Sequence, residues 1–323
     1  MRFSLRVNND IGVGELVAIA VRAEELGFDQ LWVSHDLFWR SAPVLLAVVA
    51  RETRRLELGA GVMNPSSTSV VEIAMASATL QEVSGGRFRL GIGSGAAEFL
   101  GWAGIPAPRP LGSTRAAVAA LRALLGGAAP PGLPGEGHLR LAVDSTPIYI
   151  GAMGPRMVEL AGELGDGALP LLFPPERFAR VREQVAAGAV RSGRDMDPFD
   201  LAACVWVAVD EEPERARRAL ARKIAYYGAS FAPALLADAG LAPAAFEPIQ
   251  RALARGDDAG AVELVTPAML ALGIAGDAAA VIKRCRGLVG LGARHLSFGP
   301  PLGADPLAAV EVLGRQVLPA LRD

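Results

Sequence analysis

The sequence is poor in several residue types that carry chemistry or stabilise particular folds. Its 323 residues include two cysteines, three histidines and 6% aromatic residues. Two cysteines, Cys204 and Cys285, exclude a disulfide framework and a cysteine-based zinc site. The histidines are scattered and no HExxH motif or Asp/Glu/His cluster occurs, so no metal site is predicted. The scarcity of aromatic rings predicts a core of Leu, Val, Ile and Ala.

An excess of one charge and long apolar runs are also lacking. The chain has 32 basic and 34 acidic residues, and Lys223 and Lys283 are its two lysines. A near-neutral chain has no general attraction for nucleic acid or anionic membranes. No apolar run reaches the roughly 18 residues that span a bilayer, and the segment MRFSLRVNND lacks the apolar core of a secretory signal. With 51% hydrophobic residues, the composition predicts a reduced, soluble, cytoplasmic globular protein.

Short apolar segments alternate along the chain with segments of helical periodicity. Eight strands are predicted at residues 3–7, 30–33, 56–61, 88–92, 147–150, 167–172, 201–209 and 293–298. The helices that follow them are predicted at residues 14–26, 43–54, 70–83, 113–125, 155–164, 175–187, 212–226 and 305–321. Ser113 is the expected N-cap of the fourth helix. Strands that alternate with helices of this length indicate βαβ units and a parallel sheet.

The alternation is interrupted once, before the eighth strand. Residues 228–272 are predicted to form short Ala-rich helices broken by prolines, followed by a helix at residues 277–288. The Gly- and Pro-rich segment 126–137 is predicted to be a surface loop, because the alternation resumes after it. The sequence therefore predicts one domain over residues 1–323, an α/β protein with a (β/α)₈ TIM barrel and a helical insertion at about 228–272. A doubly wound open sheet is the alternative.

In a (β/α)₈ barrel the active site lies at the carboxyl ends of the strands. Glycines are dense at the ends of strands three, four, five and eight, and such clustering favours close approach of a ligand to the backbone. The segments 91–95 and 151–154 are candidates for holding phosphate with backbone N–H groups. Neither the Rossmann pattern nor the P-loop pattern occurs. Tight strand-to-helix turns, which also need glycine, are the structural alternative.

Polar and apolar candidates follow strands two and three. The Ser34-His35-Asp36 segment offers a hydrogen-bond donor to a cofactor, a proton shuttle, or a structural histidine with no catalytic task. The segment from Gly61 to Pro65 is the kind of apolar turn that backs a flat ring, or an ordinary loop. No GxSxG elbow occurs, and both cysteines are predicted to be buried thiols rather than nucleophiles.

Taken in order, short strings along almost the whole chain resemble the bacterial luciferase-like superfamily of flavin- and deazaflavin-dependent oxidoreductases. The resemblance is closest to the branch that contains methylenetetrahydromethanopterin reductase, which uses coenzyme F420. The strings that carry it lie at residues 26–28, 31–34, 58–65, 80–87, 90–95, 147–155, 165–168, 273–277 and 298–303. Two departures from the family pattern stand out. His35-Asp36 replaces Asp-His, and strand one ends in Asn8-Asn9 with Asp10 as its first carboxylate.

The resemblance implies the same barrel with an insertion before strand eight, and a planar cofactor across its open end. It also implies a cis peptide at Gly61-Val62 that forms a bulge behind the ring. The cofactor-binding residues that it implies are Ser34, Gly61, Val62, Asn64, Gly93, Ser94, Gly95, Glu98, Gly151, Ala152, Met153 and Gly154. His35 and Asp36 become the candidate catalytic pair. Asn8, Trp39 and Arg40 are expected to line the substrate pocket.

The implied reaction is hydride transfer between F420 and a small organic acceptor, such as a methylene-tetrahydropterin C1 carrier. One alternative is an FMN-dependent luciferase-like monooxygenase. The other is a non-catalytic barrel that has lost cofactor binding. The Ala-rich helices and the apolar insertion predict a homodimer or a higher homo-oligomer.

Overall fold

The computed structural model describes residues 1–95, 97–106, 109–141, 143 and 145–322. One nine-stranded sheet runs through the fold. Its strands are β1 (Arg2–Val7), β2 (Gln30–Val33), β3 (Glu57–Met63), β4 (Phe88–Ile92), β5 (Ile148–Ala152), β6 (Gly167–Pro170), β7 (Asp200–Val209), β8 (Ile274–Gly276) and β9 (His295–Leu302). Each strand from β1 to β7 pairs in parallel with the next.

Helices follow most of the strands. Up to β7 they are α1 (Val13–Glu25), α2 (Ala42–Glu52), α3 (Val70–Ser84), α4 (Ala97–Trp102), α5 (Pro110–Leu125), α6 (Pro155–Leu164) and α7 (Phe178–Ser192). After β7 they are α8 (Pro213–Tyr227), α9 (Pro233–Asp238), α10 (Glu247–Ala254), α11 (Asp258–Glu263), α12 (Pro267–Leu270), α13 (Ala278–Gly290), α14 (Pro306–Val312) and α15 (Leu318–Arg322). A π-helical segment, Leu313–Val317, joins the last two helices.

The chain divides into two compact units, and the larger comprises Ser4–Pro170 and Val181–Ala202. It holds strands β1 to β6 in sheet order, and the first residues of β7 pair with β6. On the inner face of its sheet the Trp32 indole donates to Gln30 over 2.8 Å. Gln30 and Arg89 both donate to the Glu57 carboxylate, over 2.7 and 2.6 Å. These bonds join β2, β3 and β4 near their amino-terminal ends, where Gln30 is buried and Glu57 and Arg89 are half-buried.

The smaller unit comprises Met1–Phe3, Leu171–Arg180 and Ala203–Asp323. In it the N–H of Arg2 donates to the carbonyl of Arg294 over 2.7 Å, which aligns the start of β1 with β9. The short strand β8 pairs in parallel with the end of β7. The sheet order, with β6 pairing to β7 and β1 to β9, closes the eight long strands into a (β/α)₈ barrel of the predicted class.

Most predicted elements are confirmed to within a few residues, and β2, β4 and α6 have the predicted bounds. The predicted cap at Ser113 is wrong. Helix α5 starts three residues earlier, at Pro110, because proline at the first turn presets a helical φ. Helix α4 and strand β8, of six and three residues, were not predicted because they are too short to show a period.

The order of elements after β7 also differs in one respect. Residues 228–272 form short helices and turns, as predicted. However, the unpredicted strand β8 follows them and pairs with the end of β7, and the predicted helix at residues 277–288 comes after it as α13. Helix α8 packs against β8 and β9, as expected of the seventh helix, and the short helices of the insertion follow it.

Candidate functional site

The Gly61-Val62 peptide bond at the end of β3 is cis, as the resemblance implies. Both residues are half-exposed, and the β3–β4 register shifts between Ala60 and Met63. The Val62 side chain lies against strands β4 and β5. A Cβ atom on Gly93 would lie 2.8 Å from Val62 Cγ2, and one on Gly151 would lie 2.8 Å from Val62 Cγ1.

These contacts with Val62 explain the glycines at β4 and β5 more specifically than ligand approach or tight turns, the two reasons that the sequence suggested. Gly91 is also confined, because a Cβ there would lie 2.3 Å from the carbonyl oxygen of Ala60. Gly91 and Gly93 are buried and make room for the β3 bulge, which is a packing reason for both glycines. Contact of Gly93 with a cofactor stays a prediction. Half-exposed Gly151 borders both the bulge and the open end of the sheet.

The loops after β3 and β4 are joined by one buried side chain. The Asn64 amide donates to the carbonyl of Ser94 over 2.8 Å, and its oxygen accepts from the N–H of Ser66 over 2.9 Å. Gly95 has φ of +64°, and a Cβ there would lie 2.6 Å from the Asn64 nitrogen. Asn64, Ser94 and Gly95 therefore come together as predicted, with Asn64 shaping the loops; its contact with a cofactor ring stays a prediction.

A second network ties the loop after β2 to the end of β1. The fully buried Asn9 donates through its amide to the carbonyls of Asp36 and Arg40, over 2.9 and 2.7 Å. The Ser34 hydroxyl lies 2.9 Å from the Asn9 oxygen and 3.0 Å from an Asp36 carboxylate oxygen. Sequence reasoning placed Asn9 at a strand end without giving it a role, because an asparagine that bridges two loops has no signature in the sequence.

His35 is held by the start of helix α2. Its Nδ1 accepts a hydrogen bond from the N–H of Ala42 over 3.2 Å. That N–H belongs to the first turn of the helix, where backbone N–H groups have no hydrogen-bond partner within the helix itself. Burial lowers the pKa of His35 below its ordinary value, although the Asp36 carboxylate acts to raise it. The imidazole is therefore neutral at physiological pH, with its proton on Nε2.

The remaining predicted residues lie around these networks in the larger unit. Asn8 is half-buried, whereas Trp39, Arg40 and Glu98 are exposed. One Arg40 nitrogen donates to the carbonyl of Asp10 over 2.6 Å, which ties the β2 loop to the β1 loop a second time. These positions suit a pocket wall; their roles stay predictions.

The loop after β5 leads directly into helix α6. Ala152 is buried, Met153 is half-buried and Gly154 is exposed. Gly154 is the N-cap of this ten-residue helix, which has no side-chain cap, and a Cβ on Gly154 would meet nothing within 4 Å. The space in front of this helix N-terminus is open to an anionic group, although Pro155 has no N–H and the N–H of Met157 donates to the carbonyl of Gly154 over 3.1 Å.

Three aromatic rings outside the predicted site join the loop after β2 to helix α4. The centroids of Phe38 and Trp102 are 6.4 Å apart, and those of Phe99 and Trp102 are 5.2 Å apart. Phe38 and Trp102 are 66% and 58% exposed. Sequence reasoning chose the neighbouring Trp39 instead; the only sequence signal for these rings is their position after strands two and four.

Neither a membrane span nor a metal cluster is found in the part of the chain that the structure describes. None of the helices described is long and apolar enough to cross a bilayer. No group of three or more His, Cys, Asp or Glu side chains among the described residues is arranged to hold a metal ion.

Comparison with known proteins gives extended matches. The chain is 34% identical to a 5,10-methylenetetrahydromethanopterin reductase of Archaeoglobus fulgidus over all of both chains. It is 32% identical to the reductase of that name from Methanolobus tindarius, over 98% of this chain and 100% of the other. Among solved structures, it superposes on the coenzyme F420-dependent tetrahydromethanopterin reductase of Methanopyrus kandleri with a TM-score of 0.89 and 26% identity, over 98% of each chain.

The family comparison covers most of the chain. The sequence model for the luciferase-like monooxygenases matches residues 2–295, which include every predicted site residue and the insertion. The barrel is the fold expected of that family, and the Val62 bulge lies where the resemblance put it. This protein therefore belongs to the luciferase-like monooxygenase family.

Proposed function

We propose that this protein is a coenzyme F420-dependent oxidoreductase that transfers a hydride between the deazaflavin and a methylene-tetrahydropterin type of C1 carrier. The observation that carries the proposal is the half-exposed Gly61-Val62 bulge, whose Val62 side chain packs against Gly93 and Gly151. Similarity over the full chain to reductases that act on 5,10-methylenetetrahydromethanopterin supports the acceptor class.

The residues at the strand ends fit a planar cofactor with an anionic tail. Gly61, Val62 and Gly151 present backbone and a short side chain to the open end, so a flat ring system meets no bulky group there. The start of α6, beyond Gly154, has no side-chain cap and would place the positive end of the helix dipole near a phosphate. Glu98 and Met153 lie in the two loops that would border the ring system and its tail. When bound, the deazaflavin supplies or accepts the hydride.

The chain's own polar residues would orient the reactants. His35 accepts from Ala42 through Nδ1, so its Nε2–H is the group left to donate to an oxygen or nitrogen of a bound molecule. We assign Ser34 and Asp36 a positioning role, because both are engaged with Asn9. Asn8, Trp39 and Arg40 would line the acceptor pocket. The neutral His35 imidazole can stabilise negative charge that develops on a bound molecule by donating a hydrogen bond, without transferring its proton.

The first experiment is a pair of fluorescence titrations of the purified protein, one with F420 and one with FMN. Tighter binding of F420, followed by anaerobic oxidation of reduced F420 when 5,10-methylenetetrahydromethanopterin is added, is the expected result. Preference for FMN would instead indicate a flavin monooxygenase, with oxygen as the next substrate to test. Binding of neither cofactor would overturn the catalytic proposal and favour a barrel without cofactor.

We further propose that the protein is a cytoplasmic homodimer or higher homo-oligomer. Cys204 and Cys285 are both buried and neither forms a disulfide, which suits a reducing compartment. Helices α2 and α3 pack side by side and leave apolar side chains exposed on their outer surface. We call this surface the α2–α3 apolar face; it consists of Val44, Val48, Val71 and Met75. Contiguous exposed apolar side chains are typical of a surface that another chain covers.

A further inference from the structure

The aromatic rings of Phe38, Phe99 and Trp102, named here the aromatic bridge, connect two loops on either side of β3. Phe38 follows β2 and the other two lie in α4, after β4. Strands β2 and β4 are the two neighbours of β3 in the sheet. The bridge therefore joins the loops on both sides of the strand that ends in the Gly61-Val62 bulge. Such rim positions contact substrates in (β/α)₈ enzymes.

The backbone of Phe38 points to a functional reason for the bridge. Its φ is +69°, in the left-handed region that bulky residues rarely adopt. A glycine would adopt this conformation at no steric cost, yet the position holds a phenylalanine whose ring is 66% exposed. Ordinary core packing does not explain a strained residue with an exposed ring. Residues in such conformations cluster at ligand-binding sites.

We propose that the aromatic bridge is the stacking surface for the flat pyrimidine ring of the tetrahydropterin acceptor, and that Trp102 and Phe38 determine specificity for a pterin-type ring. The inference rests on the proposed function and deepens it by naming what recognises the acceptor. A tryptophan face stacks on flat heterocycles, and its ring edge tolerates water. Phe99 packs edge-on against Trp102 and holds its indole in place.

The size of the surface favours a small ligand over a protein partner. Phe38 and Trp102 together expose roughly 300 Å², given the 150–250 Å² that each aromatic side chain can bury. A stable protein interface needs about 800 Å² from each partner. Two rings from adjacent loops match the area of one fused bicyclic ring much better.

The test measures binding of 5,10-methylenetetrahydromethanopterin and of F420 separately, by calorimetry, to the full-length protein. Stacking on an aromatic side chain is worth a factor of roughly 5 to 150 in affinity. Trp102→Leu keeps an apolar side chain without a flat face, and we expect it to weaken pterin binding about 10-fold or more. Trp102→Phe restores a flat face, and we expect a loss of less than about 3-fold. Affinity for F420 should change in neither variant.

Phe38→Gly separates a binding role from a structural one. Removing the ring should weaken pterin binding about 10-fold, whereas the melting temperature should not fall, because glycine relieves the left-handed backbone. A ring that only stabilised the fold would give a lower melting temperature and no specific loss of pterin binding. Tyr226→Ala is the matched control, since Tyr226 is 61% exposed and also packs against an aromatic neighbour. This variant should bind the pterin as the natural protein does.

Unchanged pterin affinity in Trp102→Leu would overturn the inference. An equal loss of F420 and pterin affinity with a lower melting temperature would indicate a structural role instead. A changed sedimentation coefficient with unchanged pterin affinity would indicate that the rings form an interface between chains. If the natural protein binds the pterin but not F420, the hydride-transfer proposal fails while the bridge is still tested. If it binds F420 but no pterin, F420-dependent hydride transfer stands, whereas the pterin-type acceptor and the bridge proposal both fail.

Discussion

At the scale of single residues, Val62 accounts for the composition of two neighbouring strands. Its methyl groups would lie 2.8 Å from Cβ atoms at Gly93 and Gly151, too close for a normal contact, which explains why both positions hold glycine. Packing at native density leaves no room for an added methyl group in such a contact. The bulge of β3 and the glycines of β4 and β5 therefore form one packing unit, although they are up to about 90 residues apart.

Gly93→Ala should destabilise the protein by about 1–3 kcal/mol, the usual cost of overpacking, and weaken cofactor binding. The added Cβ lies 2.8 Å from Val62 Cγ2 but 3.6 Å from Val62 Cβ. Adding Val62→Ala should therefore recover part of the loss, with a coupling energy of about 1 kcal/mol in urea unfolding. Gly287→Ala, where nothing lies within 4 Å, is the control and should be neutral or stabilising. Additive costs in the double variant would contradict the proposed contact.

His35 gives a prediction of pH dependence. Because burial lowers its pKa in the folded state, the unfolded chain takes up a proton first as the pH falls. The free energy of unfolding should therefore fall from about pH 6.5 downwards, until the pH passes below the folded-state pKa. His35→Ala should cost about 1 kcal/mol at pH 8 through the lost bond to Ala42, and this difference should shrink at pH 5. A difference that grows towards pH 5 would show that the folded protein favours the imidazolium.

At the scale of elements, the turn between α2 and β3 is organised by two charged side chains. The Glu24 carboxylate, at the end of α1, accepts from the backbone N–H groups of Arg54, Arg55 and Leu56 at 2.8 to 3.3 Å. The Arg87 guanidinium donates to the carbonyls of helix α2 and the following turn, the closest at 2.6 Å. Both groups satisfy backbone atoms that helix ends leave open. They lie at the amino-terminal end of the sheet, away from the candidate site, where stability rather than chemistry is expected to be decided.

Arg87→Lys should destabilise the protein by about 3 kcal/mol without changing F420 affinity. A lysine ammonium cannot reproduce the fork of bonds that reaches several carbonyls, and hydrogen bonds from charged groups are worth about 1.5–3 kcal/mol each. Arg54 lies in the same turn, and its side chain makes one exposed hydrogen bond, so Arg54→Lys should have little effect on stability. Thermal unfolding with and without F420 measures both quantities. A loss of cofactor affinity in Arg87→Lys would contradict the assignment of stability to the amino-terminal end of the sheet and of binding to its carboxyl end.

Glu24 should contribute to stability against acid. Burial acts to raise its pKa, but the backbone N–H groups of Arg55, Arg54 and Leu56 outweigh burial, so the pKa lies below the ordinary value. A carboxylate with a depressed pKa stabilises the fold above about pH 4.3 and loses that contribution as the pH falls through its folded-state pKa. Glu24→Gln should be less stable than the natural protein at pH 7 and nearly equal to it at pH 2. Equal unfolding free energies at pH 7 would contradict this role.

At the scale of the whole molecule, the α2–α3 apolar face predicts self-association. Met75 is 48% exposed and Val44 is 64% exposed, one on each helix. Met75→Glu places a charge in any interface there and should convert the assembly to smaller species in sedimentation velocity. Val190→Glu, at a 79% exposed position of α7, is the control. If the natural protein sediments as a monomer, the oligomer proposal is overturned. If it sediments as an oligomer and Met75→Glu does not change this, the interface lies elsewhere.

The sequence by itself determined the architecture and the family. Periodicity located all eight barrel strands, because alternation of strands and helices is a local property of the chain. Glycine after the periodic stretch likewise marked the end of α1, where Gly27 has φ of +84°. The strings at the strand ends indicated the luciferase-like family and the Gly61-Val62 bulge. These features depend on residues close together in sequence, which a single chain displays without a structure.

Tertiary structure decided which groups meet. Asn9 with Asp36, Val62 with Gly151, and Phe38 with Trp102 are contacts between different βα units. No periodicity encodes such pairs, because the rise and twist of several strands set where each loop arrives. The sequence therefore predicted at which end of the sheet the site lies, but not which side chains meet there. Only the fold decided that Asn9 holds the β2 loop, that His35 presents Nε2, and that Phe38 and Trp102 share one surface.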